Sequence, residues 1–328
     1  MSKFKKISKN IQQITITNPQ KTNYIDWINI NNAGKTEIEY LRKKYNFKLS
    51  RLAVSSAKSN SQRPIIARES DYIFIILHFP ILASSLDNQN NKRIMSAEIE
   101  FFIGHSFLIT MPNAPIEPLN YFFNLCKKDS GSLLSYELGS SSILLYEILK
   151  KLLEYSYVIL DHNSLAISHA EQIVLGEDQK KSANLILNLR HNLINMRKII
   201  QNHKNIIKQL MVMESSIIAR EHLKKYYGEL IDQTKNIWET LENQREMVEV
   251  LYASCESQSN YRLSSIMKTL TIFYVTFSSL SLIAAIFSIK ADHGMPFINY
   301  QNSFWIILSI MSAAGLAMLL LFKKKKWL

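Results

Sequence analysis

The chain has 328 residues, with 39 Lys and Arg against 27 Asp and Glu, a formal net charge of +12 and 47% hydrophobic residues. That length holds a soluble domain plus a membrane part, and the cationic surplus comes without zinc-finger spacing or any other nucleic-acid motif, so no nucleic acid is expected as a partner. Its two cysteines, Cys126 and Cys255, are far apart, which excludes a disulfide-stapled scaffold and fits a reducing cytoplasm.

Residues 1–130 read as a mixed α/β domain. Asp71 to Leu82, "DYIFIILHFPIL", is rich in β-formers, and Ala97 to Pro112, "AEIEFFIGHSFLITMP", reads as two strands joined at Gly104-His105. No proline occurs between Pro118 and Pro296, and residues 131–267 are helix-compatible throughout. From Leu223 onward, Tyr227, Leu230, Thr234, Ile237, Leu241, Val248, Leu251 and Cys255 recur at alternating steps of three and four, with Gln244 as the polar interruption. This heptad-like seam predicts one long stem helix that continues through "YRLSSIMK" into the first apolar span. A helix of about 70 residues would reach roughly 100 Å. No small domain can bury it, so it requires partner helices from its own chain and from other copies.

Thr269 to Ile289 is uncharged and lies between Lys268 and Lys290; Phe304 to Phe322 is uncharged and precedes Lys323 to Lys326. Each stretch is about the length a bilayer core demands. Two in succession read as a transmembrane hairpin, with spans at 268–290 and 304–322, an external loop at 291–303 and a basic tail at 323–328. The loop carries only Lys290, Asp292 and His293, whereas Lys323, Lys324, Lys325 and Lys326 form a dense cluster, so the positive-inside rule puts both termini in the cytoplasm. The cluster then sits beside the anionic leaflet of an inner or plasma membrane, where each lysine gains about 1 kcal/mol. Trp305 and Trp327 are placed as interfacial anchors.

Ser264, Met267, Thr271, Tyr274, Ser278, Ser281, Ala285 and Ser288 recur at three or four along the first span. Small and hydroxyl residues on one membrane-helix face serve either close helix packing or a pore wall.

Several segments, in order, carry a resemblance to the CorA-type magnesium transporters, pentameric two-span channels with a cytoplasmic α/β funnel. Ser61 to Leu77, "SQRPIIARESDYIFIIL", is similar to the family's Gln-Arg-Pro segment. Met267 to Thr271 keeps Met-Lys-x-Leu-Thr at membrane entry, Ser281 to Phe287 follows the family's first span, Gly294 to Phe297, "GMPF", resembles its Met-Pro loop, and "FKKKKWL" matches its C-terminal segment. The resemblance implies a CorA-like funnel: an α/β cytoplasmic domain, a long stem helix and two C-terminal transmembrane helices, assembled as a homopentamer. It makes the polar stripe the pore lining, with Met267 and Leu270 at a hydrophobic constriction, and puts Lys290 and Asp292 at the pore entrance.

The departures remove oxygen ligands or negative charge. Ser288-Ile289-Lys290 stands where the family has Gly-Met-Asn, Phe297-Ile298 where it has Glu-Leu, Ser264-Ser265 where it has Asn-Glu, and Ser55-Ser56 where it has an acidic metal-sensing pair. Five lysines about 8 Å from a dication repel it by roughly 5 kcal/mol in water before salt screening. The segment "DQKKSANLILNLRHNLINMRKIIQNHKNIIK" holds one acid against many bases and reads as a solvated helical face. No nucleophile–base pair is visible, and His78, His105, His162, His169, His191, His203, His222 and His293 have no recognised ligand spacing. The expectation is a non-enzymatic ion transporter without a cofactor, the presumptive cargo being Mg²⁺ or another divalent cation. Anion selectivity and a non-conducting regulatory or scaffolding role are the alternatives.

Overall fold

The computed structural model describes residues 3–17, 24–45, 47, 62–85, 88–128, 140–174, 179–213, 220–289, 302–325 and 327. Two compact units divide the chain, Met1–Tyr252 and Ala253–Leu328.

In the first unit, β1 (Lys3–Lys6), β2 (Ile11–Thr17), β3 (Tyr24–Ile30), β4 (Ile65–Arg68), β5 (Tyr72–Ser85), β6 (Asn88–Gly104) and β7 (Phe107–Pro112) form one sheet in the order β1-β2-β3-β7-β6-β5-β4. All neighbours are antiparallel except β3 and β7, which pair in parallel with Trp27 opposite Leu108. A parallel pair needs a long crossover, and here the whole stretch from Asn31 to Ser106, with β4, β5 and β6, supplies it. The two apolar runs singled out in the sequence are β5 and the β6–β7 hairpin, whose turn follows Gly104; a Cβ there would collide with the Phe107 ring. β6 begins earlier than its hydrophobic pattern, because Asn88 to Ser96 extend the ladder along β5.

Successive residues of β5 from Tyr72 to Phe79 are buried on both faces of the sheet, so the strand reads as a continuous apolar run and not an alternation. On one face Ile28, Ile30, Phe74, Ile76, Phe102 and Ile109 pack with Phe47 and with Leu41 of α1 (Lys35–Tyr45). On the other, Trp27 meets Phe122 and Phe123 of α2 (Glu117–Lys128) with ring centroids 5.6 and 4.9 Å apart. Its indole N–H donates to Thr110 Oγ1 at 3.2 Å, and that hydroxyl donates to Asn29 Oδ1 at 2.9 Å. The buried polar atoms of this face thus satisfy one another, as a low-dielectric core requires.

The proline-free stretch folds into α3 (Ser141–Val174), α4 (Gln179–Ile200), α5 (His203–Val212) and α6 (Arg220–Phe287), the last a single helix of 68 residues. Tyr227, Leu230, Thr234, Ile237, Leu241, Gln244, Val248 and Leu251 are all buried, so the predicted seam is the packed face of α6. Its partners are α3 and α4 of the same chain. Tyr227 donates its hydroxyl to Ser142 O at 2.9 Å on α3, while Arg190 and Arg197 of α4 pair with Glu249 and Glu242 at 3.2 and 3.6 Å. The expected partner helices from the chain itself are thus α3 and α4, which return alongside the stem and bury Leu241 and Leu251. Gln244, the apparent interruption, sits in a buried network. It donates to Leu160 O and Ser164 Oγ, each at 2.7 Å, and accepts from Asn163 Nδ2 at 3.0 Å. The side chain of Leu223 lies outside the described residues, and Cys255 is half-buried.

In the second unit, α6 continues to Phe287 and α7 (Ser303–Lys324) follows. Their apolar stretches have mean hydropathy 2.0 and 2.3, and only 6% and 0% of those residues are buried. A core helix of a soluble domain would be covered by its own chain; among the described residues these two stretches are almost wholly uncovered. α6 and α7 meet where a methyl on Gly315 would stand 3.7 Å from Leu280 Cδ1.

Candidate functional site

The nine positions expected to line a pore are Ser264, Met267, Leu270, Thr271, Tyr274, Ser278, Ser281, Ala285 and Ser288. They lie along α6 and the turn after it, and every one is exposed in the single chain. At 100° per residue they share an arc about 120° wide. Leu280, which faces Gly315 of α7, lies outside that arc, as does Ile272, the buried residue of this part of α6 among those described. The polar stripe therefore faces away from the chain's own second span, and packing against α7 does not account for it.

The hydroxyls divide in the same way. Off the stripe, Thr269, Thr276 and Ser279 return their protons to the helix carbonyls of Ser265, Ile272 and Val275 at 2.7–3.0 Å. On the stripe, Thr271 does so to Met267 O at 2.8 Å. At Ser264, Ser278 and Ser281 no such bond is present among the described residues. A serine hydroxyl that is not committed to its own helix can donate to or accept from water on the exposed side. Met267 stands just before Lys268 and Leu270 is the second residue of the uncharged stretch; they are 56% and 58% exposed. An apolar pair of this kind, repeated around an axis, would make a ring that sheds water.

Lys290 and Asp292, the Gly294 to Phe297 loop and Ser55-Ser56 lie outside the described residues. Of the basic cluster, Lys323, Lys324 and Lys325 are described and exposed. Phe322 and Trp327 stack at 6.0 Å, which joins the end of the apolar stretch to the tail.

Both arginines of the basic segment are paired. Arg190 and Arg197 pair with α6 carboxylates and lie over the rings of Tyr252 and Trp238 at 5.6 and 5.2 Å. Glu242 also binds Arg245 at 3.0 Å. Lys181, Lys198, Lys204 and Lys208 are exposed. The cleft of about 210 Å³ between α4 and α6 is lined by these paired charges over Leu193, Leu241 and Val248.

The Gln-Arg-Pro segment has a structural role that pattern reading missed. The Gln62 N–H donates to Glu98 Oε2 at 2.7 Å and its amide donates to Glu100 Oε1 at 3.0 Å. His78 Nε2 lies 3.4 Å from the same Glu98 oxygen. These groups hold the entry to β4 against one face of β6. The visible signal was two glutamates two residues apart in the apolar second half of β6, an arrangement that puts both on one face. Among the described residues, no group of three or more His, Cys, Asp or Glu is placed to hold a metal ion.

The family model described as CorA-like Mg²⁺ transporter protein matches residues 22–324. The Cobalt/magnesium transport protein CorA of Thermotoga maritima is 23% identical over 302 residues, covering 92% of this chain and 83% of that protein. The complete structure of the CorA magnesium transporter from Methanocaldococcus jannaschii superposes with a TM-score of 0.80 at 19% identity, over 93% of this chain and 92% of the other. The ZntB cytoplasmic domain from Vibrio parahaemolyticus matches with a TM-score of 0.57 at 15% identity, over 72% of this chain and 88% of that one. At such identities the solved structures establish the fold: a mixed α/β domain, a long helix and a C-terminal apolar helix.

Proposed function

The chain belongs to the CorA-like Mg²⁺ transporter family, and from that we propose that it carries a divalent cation of the magnesium type across an inner or plasma membrane, through a homopentameric pore. The spans are 268–290 and 304–322. Both termini face the cytoplasm, residues 291–303 form the external loop, and Lys323 to Lys326 lie against the anionic leaflet. The observation that carries this reading is the exposed polar stripe of α6, turned away from α7 and bearing serine hydroxyls that make no bond to their own helix.

A hard dication such as Mg²⁺ sheds its water reluctantly. It would pass the stripe hydrated, with Ser264, Thr271, Ser278, Ser281 and Ser288 bonding to its water shell and not to the metal. Met267 and Leu270 would gate by dewetting, since an apolar ring narrower than a hydrated ion stops conduction without a steric plug. At the outer end, Lys290 stands where the family presents an asparagine oxygen, beside Asp292. Its charge lowers local dication concentration, and the pore is a slow cation conductor for that reason.

That same lysine favours a second reading, an anion-selective or non-conducting relative. Reconstituted protein in vesicles, with Mg²⁺ and chloride fluxes recorded together, separates them. Slow Mg²⁺ uptake supports the proposal. Chloride flux without Mg²⁺ flux, or neither, replaces it with the second reading.

A further inference from the structure

α4 ends at Ile200 and α5 begins at His203, with Gln201 and Asn202 making the turn between them. His203 is 1% exposed, and neither Nδ1 nor Nε2 makes a well-aligned hydrogen bond; the backbone carbonyls of Ile199, Ile200 and His78 are the acceptors beside the ring. Its ring stands edge-on to Phe79 of β5, centroids 5.0 Å apart. Ile206, Ile207 and Leu210 continue the buried face, so α5 is held to the unit by this histidine and three aliphatic side chains. α5 packs on β4 and α4 and is the last described element before the stem helix α6.

An imidazole buried with no well-aligned hydrogen bond at either nitrogen is a poor way to fill a core. Leucine or phenylalanine would fill it without burying two polar atoms. What histidine adds is a charge that can be switched on by protons. We propose that His203 is a proton-operated latch at the α4–α5 joint, neutral when α5 is docked and expelling α5 from the sheet when it becomes charged.

The groups around it fit that role. From β5, its titratable neighbour is His78, which is itself held by Glu98 of β6 on the other face of the strand. From α4 come the backbone carbonyls of Ile199 and Ile200, its charged Arg197 and Lys198 being exposed; the charged residue of β4, Arg68, is exposed as well, and on α5 itself Lys204 and Lys208 are exposed. No carboxylate among the described residues is bonded to the ring to hold it as an imidazolium. Burial therefore pushes its pKa down from 6.5 to about 4, the His78 side chain adds to the effect, and the backbone carbonyls of Ile200, Ile199 and His78 offset only part of it. The docked state binds the proton less well than the released state. The latch is at full strength above pH 6.5 and weakens as pH falls from 6.5 toward 4. At pH 5, linkage between those two values raises the released population about 30-fold over that at pH 8. The device is independent of which ion the pore carries.

Hydrogen exchange of the full-length protein in nanodiscs, at pH 8 and pH 5 and corrected for intrinsic exchange rates, reads it directly. Wild-type peptides spanning 203–212 should show the rise in opening at pH 5, His203→Leu should show none, and His78→Gln should keep it. Protection of α5 that is unchanged at pH 5 in the wild type overturns the latch. So does an equal acid response in His203→Leu, or loss of the response in His78→Gln. Should His203→Leu fail to fold, the imidazole resonance of His203 in the wild type decides. A midpoint near that of a solvent-exposed histidine refutes the proposal, and one near 4 that coincides with α5 exchange upholds it.

Discussion

Replacing Gln244 by Leu makes the seam of α6 uniformly apolar, and by pattern alone it should strengthen the helix contact. The structure predicts the opposite. Gln244 is 3% exposed and makes three hydrogen bonds, two as donor at 2.7 Å and one as acceptor from Asn163 at 3.0 Å. Leu160 O can lose its extra donor cheaply, since an α-helix carbonyl already has an intrahelical partner, and Ser164 is exposed and can turn to water. Asn163 is different. It is also 3% exposed, and its amide would face an aliphatic side chain. Leaving a buried donor unmade costs about 1–3 kcal/mol. Gln244→Leu is expected to destabilise the first unit by that amount, despite the gain in apolar surface. Asn163→Leu alone should cost a similar amount by stranding the Gln244 oxygen. The double change removes both halves of the pair and should cost less than the sum of the two, with an interaction energy of roughly 1–2 kcal/mol. Pulse proteolysis in urea on the full-length protein in detergent measures all four corners of the cycle. A Gln244→Leu variant as stable as the wild type, or additive single effects, would refute the reasoning.

A cysteine at Asn299 should react with an impermeant reagent from outside intact cells and one at Lys3 should not; the reverse pattern of labelling rules out the proposed orientation. Native mass spectrometry in mild detergent should show five copies, and monomers or dimers there and in nanodiscs reject the pentamer. Lys290→Asn should raise Mg²⁺ uptake into proteoliposomes severalfold at low salt, with a smaller gain at high salt because exposed charges are screened over about 10 Å at 0.1 M; no change at either salt level means that Lys290 snorkels away from the ion path. Tyr227→Phe deletes a fully buried hydroxyl bonded to Ser142 O at 2.9 Å, and it should lower the urea stability of the first unit by about 1 kcal/mol; a neutral result would mean that the bond contributes nothing to holding the stem on α3.

The two apolar helices were legible because length and hydropathy are set without reference to any neighbour, and 269–289 and 304–322 show both in the bare chain. β5 and the β6–β7 hairpin were legible for a related reason: a run of β-formers and a glycine that must face Phe107 are local facts. The seam of α6 lies between the two cases. Its period names the side that is buried, and all eight of its positions from Tyr227 to Leu251 are buried as that period requires. A period does not name what does the covering, and only the folded chain identified α3 and α4 as the helices that lie there. Gln244 looked like a flaw because its partner Asn163 is 81 residues away. The arginines of α4 looked like free charge because Glu242 and Glu249 lie on a different helix. The parallel pairing of β3 with β7, the grip of Gln62 on Glu98 and Glu100, and the burial of His203 share this origin. Each depends on residues distant in the chain whose meeting is decided by the packing of the whole unit, and no local pattern encodes it.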